Sequence, residues 1–387
     1  MRVGSRARVT RALAVLVLAV ALAACSSLAG PGCRPQLAGG GTGADTGSGS
    51  GGVTPGSGGI GGTGGTGGTG GQTPPPADTA FCPLCGVEEP RAALLHRPLA
   101  VCVDNQSEAR PQSGLKDACL VYEVLTEGGI TRFLAFYLHE KATAVGPIRS
   151  LRPYLLDLSM ALGAPIAFVG GSQAALDDVA TLKASARAIN EMSYPYPFWR
   201  SEARSSPHNS YAGIAELRSA SAALGYEPAT LSNPTVPAFS FAPTPDKAVL
   251  PTGQTVQRFT LTYAAGAGDY SVTYDFDPEA SQWMRYLGRS AQVDAVDGHQ
   301  LRATTVIVQF VSSSVISGDS EGRLKLNLTG GGSCRVFCQG RTFTASWAKS
   351  GRTSGLTYTD ASGKPLNLPP GPVWVLIAPP NSAVTTQ

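Results

Sequence analysis

Between residues 39 and 71 the chain carries 19 glycines in 33 positions, including the repeat GGTGGTGGTGG, and Pro74-Pro75-Pro76 follows. A segment with no apolar periodicity has nothing to bury and cannot offset the entropy of ordering it, so it reads as a disordered linker. This tract divides the chain. Only a short leader fits ahead of it, and about 300 residues follow, enough for two cores of ordinary size.

In the leader, Arg2, Arg6, Arg8 and Arg11 precede thirteen residues without a polar side chain, Ala12 to Ala24. Spanning a bilayer takes about 20 apolar residues, so this run is a secretory signal rather than an anchor helix. It ends in Leu22-Ala23-Ala24-Cys25, which resembles the lipobox of a bacterial lipoprotein. Residues 1–24 are then the signal peptide, and Cys25 is the lipidated first residue of a linker running to residue 80. Acyl chains on Cys25 would tether the protein to a membrane, each buried methylene contributing about 0.8 kcal/mol. The four leader arginines also account for the formal charge of +3. Without them the chain is close to neutral, which argues against nucleic acid as a partner.

Export places eight cysteines (25, 33, 82, 85, 102, 119, 334 and 338) where disulfides persist. Removing Cys25 leaves an odd number, and Cys33 in the linker is the candidate for the unpaired thiol. Cys102 and Cys119 lie in apolar strand-like runs and would pair if those strands are neighbours. Cys334 and Cys338 are about 13 Å apart along an extended segment, too far to bond each other unless the chain turns between them. Cys82-Pro83-Leu84-Cys85 admits three readings: a redox motif, half of a zinc site with Cys334 and Cys338, or structural disulfides. Pro83 and Gly86 shape a turn, not the helix start that thioredoxin-type chemistry needs. The four histidines (96, 139, 208 and 299) show no HxH, HExxH or HxxxH spacing, so no metal and no cofactor is expected.

After the linker, residues 81–227 alternate short apolar strands with three amphipathic helices, predicted over 154–162, 172–183 with Ser172 as N-cap, and 212–224. This is the pattern of an α/β layered domain. A Pro-rich connection follows over 228–255. Residues 256–380 then read as a succession of strands separated by turn signals, a mainly antiparallel all-β domain. The fold class is therefore α+β with two domains. Trp283, Trp347 and Trp374 occupy strand positions that suit core packing better than a glycan groove.

Polar residues of the first half gather at predicted strand ends. In α/β sheets ligands bind outside the carboxyl ends of strands, where helix N-termini favour anions. Arg110, Arg132, Arg149, Arg152 and Arg200, with Gly170-Gly171-Ser172 and Asn209, form the candidate ligand site, since guanidinium groups grip carboxylate or phosphate in bidentate fashion. The same arginines could instead pair with Asp104, Glu123, Glu127 and Asp157 as a structural network. His208 is the candidate acid–base group, with Glu127 or Asp104 orienting it. No GxSxG, P-loop or strand-linked GxGxxG motif is present.

The runs RPLAVCVDNQSEARPQSGLKDACLVYEVLTEGGITRFLAFYL, VGPIRSLRPYLLDLSMALGAPIAFVGGSQAAL, FWRSEARSSPHNSYA, TTVIVQF, GRLKLNLTGGG and SWAKSGRTSGLTYTDASGKPLNL together resemble the YerB-type lipoproteins. In that family an N-terminal and a C-terminal domain of unknown function occur together, and the resemblance covers nearly all of residues 82–378. It implies a membrane-tethered envelope protein and supplies no reaction. Its polar motifs fall here on Asp104, Asn105, Arg110, Glu123, Glu127, Arg132, Arg149, Arg152, Arg200, His208 and Asn209, which implies a site in the first domain. Cys85 stands where the family usually has threonine, so the CxxC is not a device the family shares.

The reading that follows is an extracytoplasmic, membrane-anchored lipoprotein that binds an anionic cell-envelope ligand at the arginine cluster, with an envelope polymer or protein as partner. A hydrolase or transferase using His208 with Glu127 or Asp104 is the alternative. A structural envelope scaffold is the third.

Overall fold

Predominantly apolar runs make the central strands. Leu99–Asp104, Leu120–Leu125, Thr131–Tyr137 and Val373–Ala378 are buried at every position, as strands covered on both faces must be. Arg258–Tyr263 and Arg341–Lys349 alternate buried with exposed residues and have one solvated face. The computed structural model describes residues 78–139, 142–227, 239–264 and 270–387, all within one compact unit, Gln72–Gln387. The leader, Cys25, Cys33, the Gly-rich linker and residues 228–238 of the Pro-rich connection lie outside the described residues.

Among the described residues the large sheet has eleven strands. Ten run in the order Gln254–Thr255, Arg341–Lys349, Gly330–Cys338, Thr305–Phe310, Val373–Ala378, Leu120–Leu125, Thr131–Tyr137, Leu99–Asp104, Ile166–Phe168 and Ala188–Asn190. Val373–Ala378 lies parallel to neighbours on both sides, Val375 facing Tyr122 and Ile307. One ladder thus crosses from the first half of the chain into the second. A second, antiparallel sheet contains Arg258–Tyr263, Tyr270–Asp277, Gln282–Leu287 and Ala383–Thr386. It packs on one face of the first, with Phe259 stacked on Phe337 at 3.6 Å between ring centroids and Trp283 edge-on to both. Trp283, Trp347 and Trp374 are all buried, so they are core and line no groove.

Three α-helices occur among the described residues. Pro153–Ala161 begins on its proline, and Gln173–Leu182 is capped by Ser172, whose Oγ accepts from Ala175 N at 3.3 Å. Both pack on the sheet face that carries Ala100 and Cys102, while Ile214–Ala223 packs on the face of Val101 and Val103. Sheet dominates both halves, helices are few, and the pairings are mixed and antiparallel. No helix among the described residues is long and apolar enough to cross a membrane.

One expected disulfide is corrected. Thr131–Tyr137 lies between the strands of Cys102 and Cys119. A two-strand separation is about 9.5 Å, beyond the Cα reach of a disulfide. All six described cysteines are free thiols.

Candidate functional site

Seven of the described strands of the large sheet point the same way: Leu99–Asp104, Leu120–Leu125, Ile166–Phe168, Ala188–Asn190, Thr305–Phe310, Arg341–Lys349 and Val373–Ala378. Their carboxyl ends share one edge. Asp104 and Asn105, Thr126 and Glu127, Gly170 to Ser172, and Asn190 with Glu191 all emerge there. The antiparallel strand Thr131–Tyr137 starts at this edge and sets Arg132 opposite Asp104. Residues 146–152 then cross it, Ile148 bridging to Val103 and Leu151 to Gly171, which lays Arg149 and Arg152 over the strand ends. At Gly170 the backbone is left-handed (φ +58°) and its N–H is held by Asn190 Oδ1 at 3.0 Å. A side chain there would be strained.

Two carboxylates and three guanidinium groups meet at this edge. Asp104 is fully buried; its Oδ2 lies 2.7 Å from His208 Nδ1 and 3.2 Å from Arg149 Nε. Arg152 grips Glu127 with both Nε, at 3.1 Å, and a terminal nitrogen, and donates to the Leu151 carbonyl. Arg132, only 3% exposed, donates to the Ser150 carbonyl at 2.7 Å. Yet Arg132 Nε is buried with no hydrogen-bond acceptor, and Arg149 Nε, in ion-pair range of Asp104, makes no hydrogen bond to it. Burial pushes the Arg149 guanidinium down, as do Arg132 and Arg152, against the opposing pull of Asp104. The cluster therefore has positive charge in excess and unused donors, the complement of an anion. A cleft of about 470 Å³ opens beside it, bounded by Glu127, Gly128, Ser314, Val315 and Asn381.

The remaining expected residues divide. Arg200 lies nearly half exposed and pairs with Glu191, while Asn209 accepts from its third nitrogen at 2.9 Å. Ser172 is occupied as a helix cap. Arg110 donates to Asn105 at 3.0 Å and lies over the Tyr270 ring, which draws it into a second, buried network. There Arg285 and Glu123, both fully buried, pair at 2.9 Å. Thr131 donates to Glu123, Gln292 accepts from Arg285, and Asn105 donates to Tyr270. The paired alternative for the arginines is seen in part, at Glu127 and Asp104, but Asp157 pairs with Arg352 instead. Arg285 and Glu191 were not among the expected residues. For Arg285 the signal was present: it occupies an inward position two residues after Trp283 in an alternating strand, where an arginine needs a buried partner.

Glu127 makes the cluster sensitive to acid. Burial works against its charge, but Arg152, and further off Arg132, hold the carboxyl below its usual range. A carboxyl lowered on folding stabilises the native state above its unfolded pKa of about 4.3 and loses that contribution as pH falls through the folded value. The stability advantage of wild type over Glu127→Gln is therefore expected to be full at pH 6 and to shrink below about pH 4. Thermal melts of both proteins across that range check it; an advantage constant with pH would show that the carboxylate charge is not what matters.

Two matches in tandem decide the family. The N-terminal domain of a protein of unknown function, DUF3048, matches residues 84–227, and the DUF3048 C-terminal domain matches residues 259–375. The chain belongs to the DUF3048 family. It is 28% identical over 298 residues to the "Putative lipoprotein YerB" of Bacillus subtilis (strain 168), covering 77% of this chain and 86% of that protein. The crystal structure of the B. subtilis YerB protein superposes with a TM-score of 0.69 at 27% identity, covering 79% of this chain and 99% of that one. The DUF3048 matches fall on the two halves expected from the sequence. The N-terminal match contains the whole arginine cluster, and the C-terminal match contains Arg285 and the first half of the strand Val373–Ala378 that joins the halves.

Proposed function

We propose that this protein is a lipid-anchored, extracytoplasmic binding protein, tethered through Cys25, whose strand-end arginine cluster captures an anionic component of the cell envelope. The relative's description as a lipoprotein and the Ala23-Ala24-Cys25 sequence support the tether. The observation that carries the binding reading is the buried Nε–H of Arg132, which has no acceptor, beside Arg149, whose Nε faces Asp104 without a hydrogen bond to it. A buried donor without a partner costs about 1–3 kcal/mol, which a phosphate or carboxylate would relieve while meeting the excess charge. Arg149, about a fifth exposed, would be the group first met by a ligand. His208, held by buried Asp104, favours a second reading in which the same pocket hydrolyses or transfers its ligand.

The test is a thermal-shift titration of the full chain with inorganic phosphate, sugar phosphates and muramyl peptides, alongside Arg149→Ala. A ligand present at 100 times its dissociation constant should stabilise the native state by about 2.7 kcal/mol, an effect expected to vanish in a folded Arg149→Ala protein. Turnover that disappears in His208→Ala would establish the enzymatic reading. No shift with any anion, and only lowered stability in Arg149→Ala, would leave the cluster as scaffold.

A further inference from the structure

At the opposite edge of the large sheet four potential metal ligands converge. Cys82, Cys85, Cys119 and His139 have their sulfur and ring-nitrogen atoms all within 4.8 Å of one another. The three cysteines are 1–2% exposed and the histidine side chain 4%. The fold brings them from three places. Cys119 precedes Leu120–Leu125 and His139 follows Thr131–Tyr137, so the two lie at the same end of an antiparallel pair, with Cys119 N donating to Phe136 O. Cys82 and Cys85 arrive on the turn between Thr79–Phe81 and Glu88–Pro90, the first strands of the described chain. That turn cannot be relaxed easily, because Gly86 has φ +68° and a Cβ there would stand 2.5 Å from Phe241.

We propose that Cys82, Cys85, Cys119 and His139 form a structural zinc site. Tetrahedral zinc with Zn–S near 2.3 Å and Zn–N near 2.0 Å separates neighbouring ligand atoms by roughly 3.3–3.8 Å, so the observed spread needs only a small contraction. The C-x-x-C spacing is the one structural zinc sites use, and four protein ligands leave no open position for a substrate. The surroundings match a metal's needs as well. Cys85 Sγ is 3.2 Å from His139 Nε2, while His139 Nδ1 lies 3.3 Å from Glu89 Oε1. A carboxylate on the outer ring nitrogen leaves the inner one facing the sulfurs as a lone-pair donor. Leu84 N–H donates to Cys82 Sγ at 3.4 Å, steadying a thiolate. Arg218 donates to the Leu138 carbonyl beside His139 and bears on Cys119 electrostatically; it offsets the negative charge that three thiolates leave on a divalent ion. Binding displaces three thiol protons to solvent and changes no oxidation state. This proposal departs from the expectation of no metal site, which searched for ligands close in sequence, whereas the histidine and third cysteine here are distant; the zinc partners suggested for the CxxC, Cys334 and Cys338, lie elsewhere, in the strand Gly330–Cys338. The ion would pin the first strands of the fold to the sheet edge, where Cys85 O also accepts from Gly371 N at 2.7 Å.

The test uses the full chain, exported, extracted in detergent and purified without chelator. Metal analysis is expected to find one zinc per chain that survives dialysis. Cobalt exchanged into the site should show the intense visible bands of a tetrahedral thiolate complex, and Cys85→Ser should lower zinc occupancy at least tenfold. Should Cys85→Ser fail to fold, the wild-type stoichiometry and cobalt spectrum decide. A wild-type chain that retains no zinc after incubation with it, or one isolated with a disulfide among Cys82, Cys85 and Cys119, overturns the site.

Discussion

Replacing Arg285 with alanine is expected to destabilise the protein by about 3–5 kcal/mol, because it strands a buried carboxylate. Arg285 and Glu123 are both fully buried, so the Glu123 charge would keep only neutral donors such as Thr131. The guanidinium also lies between aromatic faces, 4.9 Å from the Trp374 ring centroid and 5.4 Å from Phe133, and its loss opens a cavity among them. Urea denaturation should show a lowered midpoint with an unchanged slope. The double variant Glu123→Gln with Arg285→Met should recover much of the loss, since it removes both charges and keeps the volume. A change below about 1 kcal/mol in Arg285→Ala would mean that the pair is solvated in solution and joins nothing.

The second expectation concerns the two halves. A fragment ending at residue 227 is expected not to fold alone, although it contains the whole N-terminal family match. Leu120–Leu125 would lose Val373–Ala378, its parallel neighbour, and leave a strand that is buried at every position with an unpaired edge. The face carrying Val101, Val121 and Phe133 would lose Phe259, Trp283 and Trp374 from its core. Such a fragment should aggregate or show collapsed amide dispersion, whereas the full chain should unfold in one transition. A fragment with a dispersed amide spectrum and a sharp melt would show that the shared sheet is only docked.

Much of the local structure was legible because it rests on short-range physics. Pro153 and Ser172 start their helices by fixing a dihedral and by capping an N–H. The apolar runs at 99–104 and 120–125 announced strands. The gathering of Asp104, Glu127, Arg132, Arg149 and Arg152 was also readable, since each follows or precedes a strand or helix end, and parallel strands bring such ends to one edge. Two things were hidden. The pairing of Cys102 with Cys119 assumed adjacent strands, and no local signal says that Thr131–Tyr137 inserts between them. The four-ligand cluster joins residues as far apart as Cys82 and His139, with none of the close spacing by which a site on one element shows itself.

By itself the sequence determined the Gly-rich tract, the identity of most strands and helices, and the strand-end arginines. These depend on composition, periodicity and capping, which act over a few residues. Only the tertiary structure decided that Val373–Ala378 would complete the sheet of the first half, that Arg285 would neutralise Glu123, and that Cys119 and His139 would meet the CxxC turn. Those outcomes depend on strand order, and strand order is set by which apolar faces can be buried together across more than a hundred residues, a property no local window contains.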